Sequence, residues 1–158
     1  LSGADSGQGR FPDSAAIIDE FSKVTGAKRD LLGKQVLISA GGTREPIDPV
    51  RFIGNRSSGK QGFALAHAAL SRGAQVSLVA ANCDIDDIPG VAMYRVERAD
   101  EMLSQLENLF DASDVVIMSA AVADAKPKQI SLEKIKKALV RALAADNLQM
   151  FTEEELYL

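Results

Sequence analysis

Tryptophan is absent from this 158-residue chain, aromatic residues make up 5% of it, and cysteine and histidine occur once each. The scarcity of large rings means that the core must be aliphatic, built mainly of Ala, Val, Leu and Ile. A single cysteine, Cys83, excludes an internal disulfide and fits a reducing, cytoplasmic compartment. One histidine and one cysteine cannot form a Cys/His metal cluster. His67 sits between Ala66 and Ala68 in a helical stretch and is expected to be packed or at the surface. Cys83 has no general base beside it in sequence and is expected to be a structural thiol. An excess of basic charge is also missing. The formal net charge is −4, which argues against non-specific nucleic-acid binding. It does not exclude a small anionic ligand held by a few local donors. No apolar run approaches the length of a membrane span, and residues 1–10 are small and polar, without the apolar centre of a signal peptide.

What is present is globular in character. Hydrophobic residues make up 46% and charged residues 25%, enough apolar material for one domain with flanking segments. Apolar positions at Ala15, Ile17, Ile18, Phe21 and Val24 predict a short helix over 11–24 with Asp13 or Ser14 near its cap. Residues 25–32 read as a linker. Residues 34–40 form a nearly continuous apolar run, the pattern of a strand buried on both faces, and end in Gly41-Gly42. Residues 43–58 contain two prolines and no clear periodicity, so they are expected to be a long loop. A helix over 59–72 follows, with Phe63, Ala66 and Leu70 on one stripe and Gly73 as its stop. Strands are predicted at 75–81, 91–96 and 114–118, and a helix over 100–110. A further helix is expected over 131–145, with Ser131 as its cap. The acidic residues 146–158 give no clear pattern. Strands alternating with helices imply an α/β, Rossmann-like three-layer domain with a mainly parallel sheet. Ligands in such folds bind at the carboxyl ends of the strands, which directs attention to the loops after Ala40 and Met118.

Three segments in those loops have the composition of a ligand site. Gly41-Gly42 allows either a sharp strand-end turn or close backbone approach to a ligand. It is not the dinucleotide fingerprint, because the helix begins far beyond the first glycine. Asn55-Arg56-Ser57-Ser58-Gly59-Lys60 lies directly before a helix. It reads either as an ordinary cap by Asn55, Ser57 or Ser58, or as an anion site using the first-turn N–H groups with Arg56 and Lys60. Ser119-Ala120-Ala121-Val122-Ala123-Asp124 follows a buried strand. It is either a tight turn with a solvated acid, or a wall of small residues for a flat ligand with Asp124 as an acceptor or Mg²⁺ contact. Downstream, Glu133-Lys134-Ile135-Lys136-Lys137 is either a wet surface or a source of cations for phosphates. An NAD(P)-dependent oxidoreductase is the weaker alternative, since the glycine fingerprint and a Tyr-x-x-x-Lys pair are both missing.

Taken in order, these segments resemble the phosphopantothenate–cysteine ligase family, the second activity of the bifunctional flavoprotein of coenzyme A synthesis. The resemblance lies in Ala40-Gly41-Gly42-Thr43-Arg44-Glu45-Pro46-Ile47-Asp48-Pro49-Val50-Arg51-Phe52-Ile53-Gly54-Asn55-Arg56-Ser57-Ser58-Gly59-Lys60. It continues through Gly62-Phe63-Ala64, Arg72-Gly73-Ala74, Ala120-Ala121-Val122-Ala123-Asp124 and Glu133-Lys134-Ile135-Lys136-Lys137. It implies a ligase domain over 33–145, with residues 1–32 a tail, short helix and linker from a decarboxylase half. Gly7-Gln8-Gly9-Arg10-Phe11-Pro12 resembles the exit of that half. Because the flavin half itself is absent, no FMN is expected. The implied reaction joins 4′-phosphopantothenate to cysteine at the expense of CTP, through an acyl-cytidylate, with Mg²⁺ as counter-ion. The implied assembly is a cytoplasmic homodimer without nucleic-acid or membrane partners. Residue by residue, the resemblance gives Asn55 the handling of the acyl-cytidylate and gives Lys134 contact with the triphosphate. It places Ser119 and Ala120 along the CTP pocket, Asp124 on the nucleotide and Ala121 toward the pantothenate side. Gly41, Gly42, Ser58, Gly59 and Lys60 form the phosphate-facing loop and helix start. Residues 138–158 do not resemble the family's further segments, so 146–158 reads as a divergent tail. This departure leaves a truncated, non-catalytic nucleotide-binding fragment or paralogue as the alternative.

Overall fold

The computed structural model describes residues 14–24, 29–135 and 148–150. Its central layer is a four-stranded sheet built from β1 (Gln35–Gly41), β4 (Gln75–Ala81), β5 (Ala92–Val96) and β6 (Val115–Met118). The spatial order is β5-β4-β1-β6, and every neighbouring pair is parallel. Two short antiparallel ribbons accompany it. One joins β2 (Arg44–Pro46) to β3 (Phe52–Gly54), and the other joins β7 (Ala125–Pro127) to β8 (Leu148–Met150).

The near-continuous apolar runs of β1 and β4 are explained by a core on each side of them. Val36, Ile38 and Ala40, with Val76, Leu78 and Ala80, pack with Phe63, Ala66 and Ala69 of helix α2 (Lys60–Ser71). The intervening residues Leu37, Val79 and Ala81 pack with Met102 and Leu106 of helix α3 (Ala99–Phe110) on the opposite face. The alternation follows from the two-residue repeat of a strand. Helix on sheet on helix is the three-layer α/β arrangement expected from the sequence. Helix α1 (Ser14–Val24) begins the described chain, with Phe21 and Val24 exposed.

Several expectations are corrected. The stretch 43–58 is no featureless loop, because β2 and β3 pair within it around the Ile47–Arg51 turn. Helix α2 is not capped by Asn55, Ser57 or Ser58. Its N-cap is Gly59, in the left-handed region at φ 74°, and no side chain bonds to its first turn. Residues 131–135 do not open a helix at Ser131. They run as bends fastened to the Ile47–Arg51 turn, while 136–145 lie outside the described residues. Within the acidic segment 146–158, residues 148–150 form a strand, because they pair with β7. The α2 stop at Gly73 stands: Gly73 N donates to Leu70 O and Ala74 N to Ala69 O, with φ 92° at the glycine.

Helix α2 comes close to the sheet at Gly62. A Cβ there would lie 2.4 Å from Ala40 Cβ and 2.8 Å from Ser119 Oγ. Glycine thus lets the first turn of α2 sit directly on the end of β1. Gly62→Ala is expected to destabilise the fold by about 1–3 kcal/mol through overpacking, despite alanine's better helix propensity. Urea denaturation checks this, and an unchanged or raised midpoint would refute the packing.

Candidate functional site

The ends of β1 and β6 continue beyond the sheet as two strapped-together segments. Ala121 N donates to Gly41 O at 2.7 Å and Thr43 N donates to Ala121 O at 3.2 Å, forming a parallel bridge between Gly42 and Ala121. Side chains complete the seam. The Ser39 hydroxyl, fully buried within β1, accepts from the amides of Ser119 and Ala120, and the Ser119 hydroxyl donates to Ser39 O. The fully buried Thr43 accepts from Ala123 N at 2.8 Å. Asn55, reached through β3, donates its amide Nδ2 to Val122 O at 2.8 Å. The two loops singled out in the sequence are therefore one structural unit at the carboxyl edge of the sheet.

The glycines serve this crowding. Gly41 has φ 84°, and a Cβ there would lie 2.0 Å from Ala81 O; a Cβ on Gly42 would lie 2.6 Å from Asn55 O. Gly59 is bounded by Cys83, whose Sγ would lie 2.2 Å from a Cβ at 59. Burial raises the Cys83 thiol pKa, against the opposing effect of Arg95, which suits a packed thiol and not a nucleophile. His67 is exposed on α2.

The amides of Ser119, Ala120, Ala121 and Ala123 all have partners within the protein, so what this segment leaves available is its small side chains and the exposed Asp124. Ser58, Arg56 and Lys60 are exposed around the uncapped start of α2. The first-turn N–H groups of a helix have no intrahelical acceptor, and the helix dipole favours an anion there. Among the described residues Arg56, Lys60, Asp124 and Lys134 make no ion pair or side-chain hydrogen bond. The structure thus brings Asn55 directly to the 119–124 segment. The segment carrying Lys134, residues 131–135, is joined to the same 43–58 loop at another point, the Ile47–Arg51 turn.

Sequence reasoning did not single out the residues that hold the unit together: Ser39, Thr43, Glu45, Asp48, Arg51 and Asn82. Asn82 Nδ2 bridges Gly42 O and Glu97 O. Glu45, only 3% exposed, accepts from Ala99 N at the start of α3, and burial pushes its carboxyl pKa up. Asp48, equally buried, is held well below the usual carboxylate range by the Arg51 guanidinium. A serine inside an apolar strand and two acids, Glu45 and Asp48, each directly before a proline were the available signals. Among the described residues no group of three or more His, Cys, Asp or Glu forms a metal cage, and no helix is long and apolar enough to cross a membrane. An open depression of about 400 Å³ lies beside this unit, lined by Arg95, Arg98, Asp100, Glu101, Ser104 and Gln105.

Two outcomes follow from the seam. Thr43→Val keeps the shape but leaves the buried Ala123 N–H without an acceptor. It should cost about 1–3 kcal/mol in urea unfolding, and a neutral result would contradict the role of that bond. Glu45 has a raised folded-state pKa, so the unfolded chain ionises first, and stability falls as pH rises from the ordinary value of 4.5 through the raised one. Glu45→Gln retains an acceptor for Ala99 and removes the charge. Its melting temperature relative to the parent should therefore rise between pH 4 and pH 7; a decline would refute the sign.

Comparison with known proteins places this geometry. Residues 31–154 match the family model described as the DNA/pantothenate metabolism flavoprotein C-terminal domain, and the match includes most of 138–158. The coenzyme A biosynthesis bifunctional protein CoaBC of Mycobacterium bovis is 45% identical over 144 residues, covering 88% of this chain and 34% of that protein. The chain therefore spans about a third of the length of such relatives. The crystal structure of the C-terminal domain of a CoaBC superposes with a TM-score of 0.63 at 41% identity, over 72% of this chain and 61% of the other. A Cab2 mutant in complex with phosphopantothenate-cysteine shares the fold, with a TM-score of 0.57 at 19% identity, over 82% of this chain and 59% of that one. With more than half of its length matched and its Rossmann-like α/β architecture shared, the chain belongs to the DNA/pantothenate metabolism flavoprotein C-terminal domain family.

Proposed function

We propose that this chain carries the nucleotide-handling part of a phosphopantothenate–cysteine ligase. The reaction joins 4′-phosphopantothenate and cysteine at the expense of CTP, giving 4′-phosphopantothenoylcysteine for coenzyme A synthesis. The observation that carries the proposal is the Asn55–Val122 hydrogen bond. It joins the asparagine just ahead of the α2 N-terminus to the segment of small residues ending in Asp124, in a chain whose family relatives are coenzyme A biosynthesis proteins.

In the first step a carboxylate oxygen of 4′-phosphopantothenate attacks the α-phosphorus of CTP and pyrophosphate leaves. In the second, the cysteine amine attacks the acyl carbon, CMP leaves with the bonding pair, and the amine gives up a proton. The uncapped start of α2, with Ser58, Gly59, Lys60 and Arg56, suits the phosphates. Lys134 adds a cation for the triphosphate. Asn55 uses one N–H on Val122 O and retains the other, which can donate to the carbonyl oxygen of the acyl-cytidylate. Ser119, Ala120 and Ala121 form a close, small-residue wall, and Asp124 accepts from the nucleotide. Mg²⁺ would enter as the counter-ion of the triphosphate. A single exposed carboxylate, Asp124, fits that role, since Mg²⁺ keeps several waters and takes one or two carboxylates plus substrate phosphates. Excluding water from the mixed anhydride is the remaining requirement. A homodimer in the cytoplasm is the assembly proposed.

A second reading is a chain that binds the nucleotide without completing ligation. Calorimetry with Mg²⁺ should show binding of CTP in preference to ATP and NADPH. Pyrophosphate release from CTP should require 4′-phosphopantothenate and fall at least about tenfold in Lys134→Gln, the loss of one charge-assisted contact. Equal or absent binding of all three nucleotides would refute the site. Selective CTP binding without pyrophosphate release would establish that second reading.

A further inference from the structure

Asp48 is almost completely buried, yet it is a carboxylate with every hydrogen bond directed to a connection. Oδ1 accepts from the amides of Val50 and Arg51, both at 2.9 Å, which closes the turn after Pro49. Oδ2 takes Arg51 Nε at 3.0 Å and the second guanidinium nitrogen, and it also accepts from the amide of Ile135 at 3.1 Å. The same guanidinium donates to Ile135 O at 2.9 Å. Four residues earlier, Ser131 N donates to Ile47 O at 3.0 Å. Residues 131–135 are thus pinned at both ends to the Ile47–Arg51 turn, across more than eighty residues of sequence. Lys134 lies between the two pins, exposed.

We infer that Asp48, with Arg51, is a positioning residue that clamps 131–135 so that Lys134 is presented to the nucleotide from a fixed backbone. The inference that Lys134 meets a nucleotide rests on the ligase reading above; the clamp itself does not. A lysine on an untethered bend would lose rotational and backbone freedom on each binding event, and the tether removes much of that cost beforehand. The arrangement also explains why a charged pair stands at this place. A neutral side chain of Asp48's size accepts fewer bonds, and a lone arginine beside Ile135 would leave its guanidinium without a counter-charge.

The test uses the full 158-residue chain and two readouts. Hydrogen exchange at the amides of Ser131 and Ile135, with Leu37 and Ile38 of β1 as fold controls, reports the clamp. Calorimetry with Mg·CTP reports its consequence. In Asp48→Asn, exchange at Ile135 should quicken by about tenfold to a hundredfold, as for loss of a charge-assisted bond, with β1 unchanged. CTP affinity should fall, and the double variant with Lys134→Gln should bind no more weakly than the worse single variant, because both changes remove one contribution. Unchanged exchange at Ser131 and Ile135 overturns the clamp. Losses that multiply in the double variant overturn its action through Lys134. If Asp48→Asn also unprotects β1, Arg51→Lys, which keeps the charge but loses the fork, replaces it with the same expectations. If the parent chain binds no Mg·CTP, the ligase reading falls and the positioning role with it, while the exchange result still decides whether the clamp exists.

Discussion

The bridge between Gly42 and Ala121 is the constraint on which the rest depends. Parallel strands leave their carboxyl ends open, and the chain leaving β1 could have diverged from the chain leaving β6. Instead the ladder continues one step past the sheet, through Gly41, Thr43 and Ala121. The hydroxyls of Ser39 and Thr43 then accept from three amides of the 119–123 segment, and those of Ala120 and Ala123 have no other acceptor among the described residues. Buried amides without acceptors are costly, so these two hydroxyls allow irregular backbone to lie this deep. Asn55 closes the unit from the other side. The consequence for chemistry is that small residues and Asp124 are held at a set distance from the start of α2.

Around this seam the charged residues of the 43–51 stretch work as anchors. Glu45 reaches the first turn of α3, Asp48 and Arg51 reach 131–135, and Arg44 stacks on Phe52 at 4.7 Å. These contacts connect the loop after β1 to α3 and to residues 131–135. They also separate roles within one motif. The buried acids act inside the protein, whereas Arg56, Lys60, Asp124 and Lys134 are exposed and make no ion pair among the described residues. A polyanion fits that division, because three of those four exposed charges are cationic in a chain whose net charge is −4.

Much of the layer architecture was legible in the sequence because it rests on local patterns. The apolar run at 34–40 announced a strand buried on both faces, 75–81 a second strand, and the Phe63–Ala66 stripe with Gly73 bounded a helix. The ribbon within 43–58 was not legible, since β2 and β3 are three residues each and are stabilised by contacts with Glu97, Ala99 and Ala121, not by periodicity. The cap of α2 was misjudged for a related reason. Two serines before a helix look like caps, but the close approach of Cys83 requires a glycine there. The helix expected from Ser131 rested on propensity, and anchoring to Ile47 and Asp48 overrides it over the described residues. At the site, the segments were visible by their small and charged residues, whereas Ser39, Thr43 and Asp48 act through partners about eighty residues away, which no local pattern identifies.

If the seam between the loops after β1 and β6 forms one wall of a nucleotide site, adding Mg·CTP will move the backbone amide chemical shifts of the isotope-labelled chain there. The saturable shifts should concentrate at Asn55, at Gly59 to Gly62 and at Val122 to Asp124, with Lys134 joining them. Shifts confined to the Arg95–Gln105 depression, or to the surface shared by α1 and α2, would contradict it.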